Sequence, residues 1–175
     1  EIVGLLNPQS GENFIDGTFG GGGHSRAILE KIAPDGRLLA VDWNKTALVS
    51  CEALRQAQGA KTNLTCFCGN FADLSAIIKR VNFPPANGLL LDLGISSDEL
   101  ELSGRGFSFQ KNEPLLMTYN DDQVPVMQLL KELSEEDLAN ILKKYGEERY
   151  AFRIAKAIKQ KQRQAPIRTT GELVE

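Results

Sequence analysis

Short apolar runs alternate with segments of helical periodicity along the first 92 residues of the chain. The runs, at residues 14–16, 38–41, 64–68 and 88–92, are too short for helices and predict strands. Between them, apolar side chains recur every three or four residues over 25–32, 46–57 and 74–81, which is the spacing of one helix face. Strands that alternate with such helices form right-handed βαβ crossovers and therefore a parallel sheet. The sequence predicts an α/β fold with a doubly wound parallel sheet that is covered on both faces.

The pattern changes after residue 92. Residues 93–124 show no regular periodicity, and an irregular segment of this length is usually functional. The chain turns helical after Pro125, and Ser134 with Asp137 resembles a capping box for a helix that ends at Gly146. Another helix is predicted over 147–163, and Thr169 with Thr170 would cap a further one. We expect an α/β domain with four strands over 1–110, a helical domain over 111–175, and fragment boundaries at both chain ends.

Composition is that of a globular protein. The 175 residues are 42% hydrophobic and 25% charged, which excludes a wholly disordered chain. No apolar run is long enough to span a bilayer and no secretory signal is visible, so no membrane partner is expected. Three cysteines are too few for a disulfide framework, which favours a reducing, cytosol-like compartment. A single histidine supports a zinc site poorly, so no metal is expected.

Charge is distributed unevenly along the chain. Residues 143–168 carry nine basic and two acidic side chains, a net charge of +7, whereas the rest of the chain carries −10. Four of the basic residues fall on one predicted helix stripe: Arg149, Arg153, Lys156 and Arg163. This asymmetry indicates a small-ligand domain joined to a segment that faces a polyanion, with an ordinary solvated helix surface as the alternative.

Three predicted strands end in or near a carboxylate, at Asp16, Asp42 and Asp92. Ligands of open parallel sheets bind beyond the carboxyl ends of the strands, so these side chains are expected to meet there. Unpaired buried charge is costly, which favours a ligand with positive charge or several hydroxyls. Each acid taken alone could instead be a helix cap or a turn residue.

A glycine-rich loop at residues 17–24 would let backbone approach such a ligand closely. No Gly-Lys-Ser/Thr follows it, so it is not a phosphate-binding P-loop. A nicotinamide dinucleotide is anionic and would be repelled by Asp16 directly before the loop. S-adenosylmethionine fits better, because it carries an ammonium, a sulfonium and ribose hydroxyls. Asp42, 19 residues after Gly23, stands at about the distance of a ribose-binding acid.

Five sequence blocks resemble the bacterial small-subunit ribosomal RNA cytosine-N4 methyltransferase family. They are FIDGTFGGGGHS at 14–25, LLDLGISS at 90–97, RGFSF at 105–109, YGEER at 145–149 and PIRTT at 166–170. The blocks follow the family's order at similar spacing and cover almost the whole chain. The resemblance implies a class I methyltransferase fold, Rossmann-like, whose sheet is incomplete here and is followed by an inserted helical domain. It also implies S-adenosylmethionine-dependent methylation of the exocyclic N4 amine of a cytosine in small-subunit ribosomal RNA.

The resemblance and the strand-end acids together indicate the cofactor-binding residues: Asp16, Gly20, Gly22, Gly23, His24, Asp42, Phe71, Asp92 and Glu99. By resemblance, Gly22, Gly23 and His24 would hold the methionine end of the cofactor. Asp42 would bind the ribose, Phe71 would lie against the adenine, and Asp92 would complete the pocket. Glu99 stands where the family usually has glutamine.

The substrate side is expected on the 93–124 loop and on the basic stripe. Arg105 and the stripe residues Arg149, Arg153, Lys156 and Arg163 are the RNA-binding candidates. Asp92 is the catalytic candidate, because an acceptor for an N–H hydrogen bond would activate the delocalised cytosine amine; the backbone carbonyls of residues 93 and 94 are alternatives. The target base would be splayed out of folded RNA. Trp43 and Tyr145 are interpreted as packing groups.

The chain departs from the family at residues 115–120. The family typically has LDMRMD after RGFSF, and this chain has LLMTYN, without the two acids and the arginine. Asn44 also replaces a second acid after the second strand. The alternative is therefore a non-catalytic relative that binds S-adenosylmethionine or rRNA without turnover. The expected partner is small-subunit rRNA or the small ribosomal subunit, and a homodimer is a further possibility. The expected location is the cytoplasm, with an organelle matrix as the alternative.

Overall fold

A computed structural model of the chain describes residues 2–58, 63–96, 100–101 and 103–175. These residues fold as two compact units, one over residues 1–96 and one over residues 97–175. Each unit has a hydrophobic core of its own. No helix within the described ranges is both long and apolar enough to cross a bilayer.

The first unit is an α/β layer structure. Its strands are β1 (Phe14–Asp16), β2 (Leu38–Asp42), β3 (Leu64–Cys68) and β4 (Gly88–Leu90). Its helices are α1 (Ile2–Leu6), α2 (Gly23–Ile32), α3 (Lys45–Ala57) and α4 (Leu74–Arg80), with a 3₁₀ turn at Phe71–Asp73 before α4.

The strands pair in parallel in the order β3-β2-β1-β4. The chain therefore builds outward from β1 through β2 to β3 and then returns to place β4 on the other side of β1. This reversal between β1 and β4 is the switch point beside which open α/β sheets bind ligands. The predicted doubly wound, Rossmann-like parallel sheet is confirmed.

Apolar side chains fill both faces of the sheet, as the unbroken apolar runs predicted. Along β2, Leu38 and Ala40 join the core that contains α2 and α3. Leu39 and Val41 point to the opposite face, where they pack with Ile77 of α4. A strand buried on both faces has no polar side to alternate with, which explains the continuous apolar sequence of β2.

The cysteines behave differently from the prediction. Cys51 of α3 and Cys66 of β3 form a disulfide with a Cα–Cα distance of 6.0 Å, whereas the sequence analysis expected no disulfide framework. The pairing depends on α3 packing against β3, and the spacing of three cysteines in the sequence does not encode that contact. Cys68 is a free thiol at the end of β3.

The second unit is helical, with α5 (Val126–Glu132), α6 (Glu135–Gly146), α7 (Ala151–Gln164) and α8 (Thr170–Val174). Their core comprises Leu115, Leu130, Leu138, Ala155 and Ile167. The Ser134 side chain accepts a hydrogen bond from the backbone N–H of Asp137, so the predicted cap of α6 is confirmed. Thr169 and Glu172 form a full capping box at the start of α8.

α7 begins four residues later than predicted, at Ala151. Glu147 closes α6 with a left-handed backbone, φ 51°, and the turn that follows delays the next helix.

The second unit also begins earlier than the expected boundary at residue 110. Residues 103–110 belong to it because Arg105 and Gly106 hydrogen-bond to residues 113–121.

Candidate functional site

The three strand-end acids converge on one loop at the carboxyl edge of the sheet. Asp16 ends β1, Asp42 ends β2, and Asp92 lies two residues past β4. Each of them contacts a residue of the glycine loop 17–24 or the first turn of α2 beyond it. The expected gathering of these carboxylates is therefore present in the first unit.

Asp16 is completely buried. Its Oδ2 accepts a hydrogen bond from the Ser25 hydroxyl at 2.6 Å, and its Oδ1 accepts one from the backbone N–H of Thr18 at 3.2 Å. Burial raises the pKa of the Asp16 carboxyl, and the bonds from Ser25 and Thr18 oppose this rise. Both oxygens of Asp16 face the protein interior. Asp16 therefore holds the glycine loop from its buried side.

Asp42 is only partly buried and holds the middle of the loop. Its Oδ2 accepts from the backbone N–H of Gly20 and its Oδ1 from that of Asn44, each at 2.8 Å. A carboxylate oxygen has two acceptor sites, so each oxygen of Asp42 retains one for a hydroxyl group outside the protein. Asn44, which replaces a family acid, caps α3 by accepting from the backbone N–H of Thr46.

Asp92 and His24 form a pair on the open side of the loop. Nε2 of His24 lies 3.5 Å from Oδ2 of Asp92, and the side chains are 39% and 60% exposed. The backbone N–H of Asp92 donates to the Thr18 hydroxyl at 2.7 Å, which ties the chain after β4 to the loop. Asp92 therefore presents a carboxylate that a ligand can reach.

The loop backbone leaves open space above it. Gly22 has φ 76° and a Cβ there would lie 2.5 Å from the ring of Phe19 beneath it. A Cβ at Gly20, Gly21 or Gly23 would meet nothing within 4 Å. Gly22 caps α2 without a side-chain hydrogen bond, and the first turn of α2 contains no acid. The N–H groups and the dipole at this helix start favour a negatively charged ligand group.

Two aromatic side chains border the same edge. Phe71 follows β3 and is 39% exposed, and its Cβ lies 3.4 Å from the position that a Cβ on Gly17 would take. Asn70 fixes the turn of Phe71 by accepting from the backbone N–H of Ala72. Trp43, directly after Asp42, is 45% exposed, and its interpretation as a packing group stays a prediction.

A sequence profile described as the MraW methylase family matches residues 1–175 of the chain. The chain belongs to the MraW methylase family. It is 44% identical to the ribosomal RNA small subunit methyltransferase H of Syntrophotalea carbinolica over 100% of the chain and 55% of that protein. It is 41% identical to the protein of the same name from Desulfosudis oleivorans over 99% of the chain and 55% of that protein. The chain thus spans about half the length of these MraW relatives.

The RNA-binding candidates of this MraW chain divide into two groups. The four residues of the basic stripe, Arg149, Arg153, Lys156 and Arg163, are exposed in the second unit. Arg105 instead donates to the carbonyl and hydroxyl of Thr118 at 2.6 and 2.8 Å and to Asp121 at 2.9 Å. Its guanidinium thereby holds the segment in which the chain departs from its family. Glu99, the remaining cofactor-binding candidate, lies outside the residues that the structure describes.

Ser25 and Thr18 were not recognised as site residues from the sequence. Both lie within the glycine-rich block, and both use hydroxyl groups to hold strand-end segments in place. A serine two residues into a helix that follows a buried acid is the signal that could have identified Ser25. Its role depends on the helix returning directly over β1, which the residue pattern alone does not show.

Proposed function

We propose that the full-length protein transfers a methyl group from S-adenosylmethionine to the exocyclic N4 amine of a cytosine in small-subunit ribosomal RNA. One observation carries the proposal: three carboxylates from neighbouring strand ends hold one glycine loop, in a family whose relatives are named as rRNA methyltransferases. The accessible carboxylates of Asp42 and Asp92 suit a ligand that bears ribose hydroxyls and positive charge. The expectation that Asp16 contacts this ligand directly is wrong, because Asp16 is completely buried and both of its oxygens are bound within the protein.

The loop and the start of α2 would hold the methionine end of the cofactor. The N-terminus of α2 at Gly22 and Gly23 favours its carboxylate, and the open space at Gly23 leaves room for it. His24 stands at the same helix turn, paired with Asp92. The carboxylate of Asp92 offers negative charge to the ammonium of the ligand.

The nucleoside end would lie toward β2 and β3. Asp42 is already oriented by the Gly20 and Asn44 amides, so its remaining acceptor sites can take the two ribose hydroxyls without reorganisation. The exposed ring of Phe71 offers a flat face to the adenine. Asp16 would contribute through Ser25 and Thr18 by fixing the loop.

The bound cofactor supplies an electrophilic methyl group on its sulfonium, and the protein must position the cytosine amine in line with it. The amine lone pair is delocalised into the ring, so an acceptor for its N–H restores electron density at nitrogen. Asp92 is the best placed described side chain for this role, because it is 60% exposed at the same edge. The carboxylate of Asp92 would accept a hydrogen bond from the N–H group of the amine and then the proton that the nitrogen loses on methylation.

The RNA would meet the exposed basic stripe through its phosphates. Such contacts position a nucleic acid without reading its sequence. Ribosomal RNA as substrate favours the cytoplasm as location. A homodimer and assembly with the small ribosomal subunit remain predictions from the sequence.

A non-catalytic relative is the second candidate, and the altered segment 115–120 favours it. Thr118 and Asn120 are each 6% exposed, and Thr118 is bound by Arg105. Thr118, in place of the family arginine, and Asn120, in place of the second family acid, are thus buried within the second unit.

Methyl transfer by the full-length protein tests the proposal. We expect the tritiated methyl group of labelled S-adenosylmethionine to appear on the N4 amine of a cytosine in small-subunit RNA. The Asp42→Ala variant should lose both transfer and cofactor binding, whereas Asp35→Ala, an exposed acid on a turn, should retain both. Cofactor binding without transfer would establish the non-catalytic alternative, and unchanged cofactor affinity in Asp42→Ala would refute the site.

A further inference from the structure

Three aromatic side chains are exposed around the corner between α6 and α7. Tyr145 is 74% exposed, Tyr150 52% and Phe152 57%. The interpretation of Tyr145 as a packing group is therefore wrong. Aromatic rings normally contribute most of their surface to a core or an interface, so three exposed rings within residues 145–152 indicate a contact surface.

A cation lies over two of these rings. Lys144 Nζ lies 5.1 Å from the ring centroid of Tyr145, and Arg149 Cζ lies 4.8 Å from that of Tyr150. Phe152 and Lys156 are separated by one helical turn of α7, so they share a face of that helix. A cation over one face of a ring leaves the other face available for a second flat group.

The local backbone fixes this corner in place. The carboxylate of Glu148 accepts a hydrogen bond from the backbone N–H of Tyr150 at 2.7 Å, and its carbonyl accepts one from Ala151 at 3.3 Å. Ala151 and Ala155 anchor α7, since both are buried in the second unit. The exposed rings therefore lie on a turn that is held by hydrogen bonds. Of the two acids in this turn, Glu147 and Glu148, the second already accepts one of these bonds.

We propose that Tyr145, Tyr150 and Phe152 form a stacking platform for unpaired nucleobases of an RNA strand, with the adjacent cations contacting its phosphates. The proposal rests on the proposed function, because it names how the same RNA substrate would be held. Charge complementarity favours RNA as the occupant: the segment 143–168 has a net charge of +7, and rings that alternate with cations match bases that alternate with phosphates. Bases within a duplex are stacked on one another and cannot stack on a protein ring, so the platform requires an unpaired strand.

Binding of two RNA probes by the full-length protein tests the platform. The probes are an unpaired oligocytidylate of roughly ten nucleotides and an RNA duplex of the same length. Tyr150→Leu and Phe152→Leu keep apolar volume but remove the aromatic face, and each should weaken binding of the unpaired probe about tenfold. Tyr150→Phe and Phe152→Tyr keep a ring and should bind like the wild type. Duplex binding should be unaffected by all four changes.

Salt dependence separates stacking from charge. The leucine variants should keep the wild-type slope of log affinity against log salt, whereas Arg153→Gln should reduce that slope by about one. Matched unfolding midpoints would show that the variants are folded. Wild-type affinity in the leucine variants, or an equal loss for duplex and unpaired RNA, would overturn the platform. An equal loss for duplex and unpaired RNA, or binding of an acidic protein instead of RNA, would assign this surface to another partner.

The platform and the proposed function fail in different ways. If the leucine variants bind unpaired RNA normally while methyl transfer proceeds, the platform is refuted and the methyltransferase stands. If the binding contrast is found but no variant or wild-type protein transfers methyl groups, the platform stands and catalysis is refuted.

Discussion

The hydroxyl of Ser25 donates to Oδ2 of Asp16 at 2.6 Å, and neither side chain has any exposed surface. Ser25 lies in the first turn of α2 and Asp16 ends β1, so this bond joins the two elements on either side of the glycine loop. A loop rich in glycine has high conformational entropy when free. The buried bond reduces this freedom and holds the loop in one shape before a ligand arrives.

Replacing Ser25 with alanine should destabilise the protein and weaken cofactor binding together. The variant leaves Oδ2 of Asp16 buried without its hydroxyl partner, at a cost of about 1–3 kcal/mol in the free energy of unfolding. Urea unfolding measures the first effect and calorimetry with S-adenosylmethionine the second. Ser75→Ala, on an exposed position of α4, is the control and should change neither. Full stability in Ser25→Ala would show that the bond contributes nothing.

The stability conferred by Asp16 should depend on pH. Burial raises the pKa of Asp16 above its ordinary 3.8. At a pH between 3.8 and the raised pKa of the folded state, the folded state therefore binds more protons than the unfolded state. The free energy of unfolding attributable to Asp16 therefore decreases as pH rises through this interval. Asp16→Asn cannot ionise, and its amide can still pair with Ser25 and Thr18.

The stability of Asp16→Asn relative to wild type should consequently increase with pH and level off above the raised pKa. Urea titrations from about pH 4 to about pH 8 measure this difference. The exposed acid Asp35, replaced by asparagine, provides the baseline. A difference that stays flat, or falls with pH, contradicts the assigned shift.

Two adjacent glycines should respond differently to alanine. Gly22→Ala places a Cβ against Phe19 and requires φ 76°, so it should cost at least about 1–2 kcal/mol of stability. Gly23→Ala meets open space at a helical position and should leave the fold intact or slightly more stable. Its methyl group would nevertheless occupy the space assigned to the cofactor, so S-adenosylmethionine affinity should fall. Thermal unfolding and calorimetry on both variants check the pair, and normal cofactor affinity in Gly23→Ala would remove that glycine from the site.

Two lysines of α7 should separate stability from RNA binding. Lys159 Nζ donates to the carbonyls of Leu130, Lys131 and Leu133, and so caps the end of α5. Lys159→Met should therefore lose about 2 kcal/mol of stability, while Lys156→Met on the exposed face should lose less than about 0.5 kcal/mol. Lys156→Met should instead weaken RNA binding and reduce its salt slope. Chemical unfolding and RNA titrations distinguish them, and equal stabilities would exclude the cap.

Local features of the sequence determined the order and type of most elements. Periodicities of strands and helices are properties of a few neighbouring residues, so β3 was predicted at its observed bounds and α2 to α4 within two residues at each end. Capping is equally local, which is why the starts of α6 and α8 could be predicted from Ser134 and Thr169. The sequence also predicted that the acids at the strand ends would meet.

Only the tertiary structure decided how those residues are used. The Ser25–Asp16 bond, the Cys51–Cys66 disulfide and the Lys159 cap each join elements whose approach depends on packing over the whole unit. Residue type could assign Lys159 to the basic segment, but only the position of α5 shows that its charge is used within the fold. Charge and periodicity are encoded residue by residue, whereas burial and partnership follow from long-range contacts that no local pattern specifies.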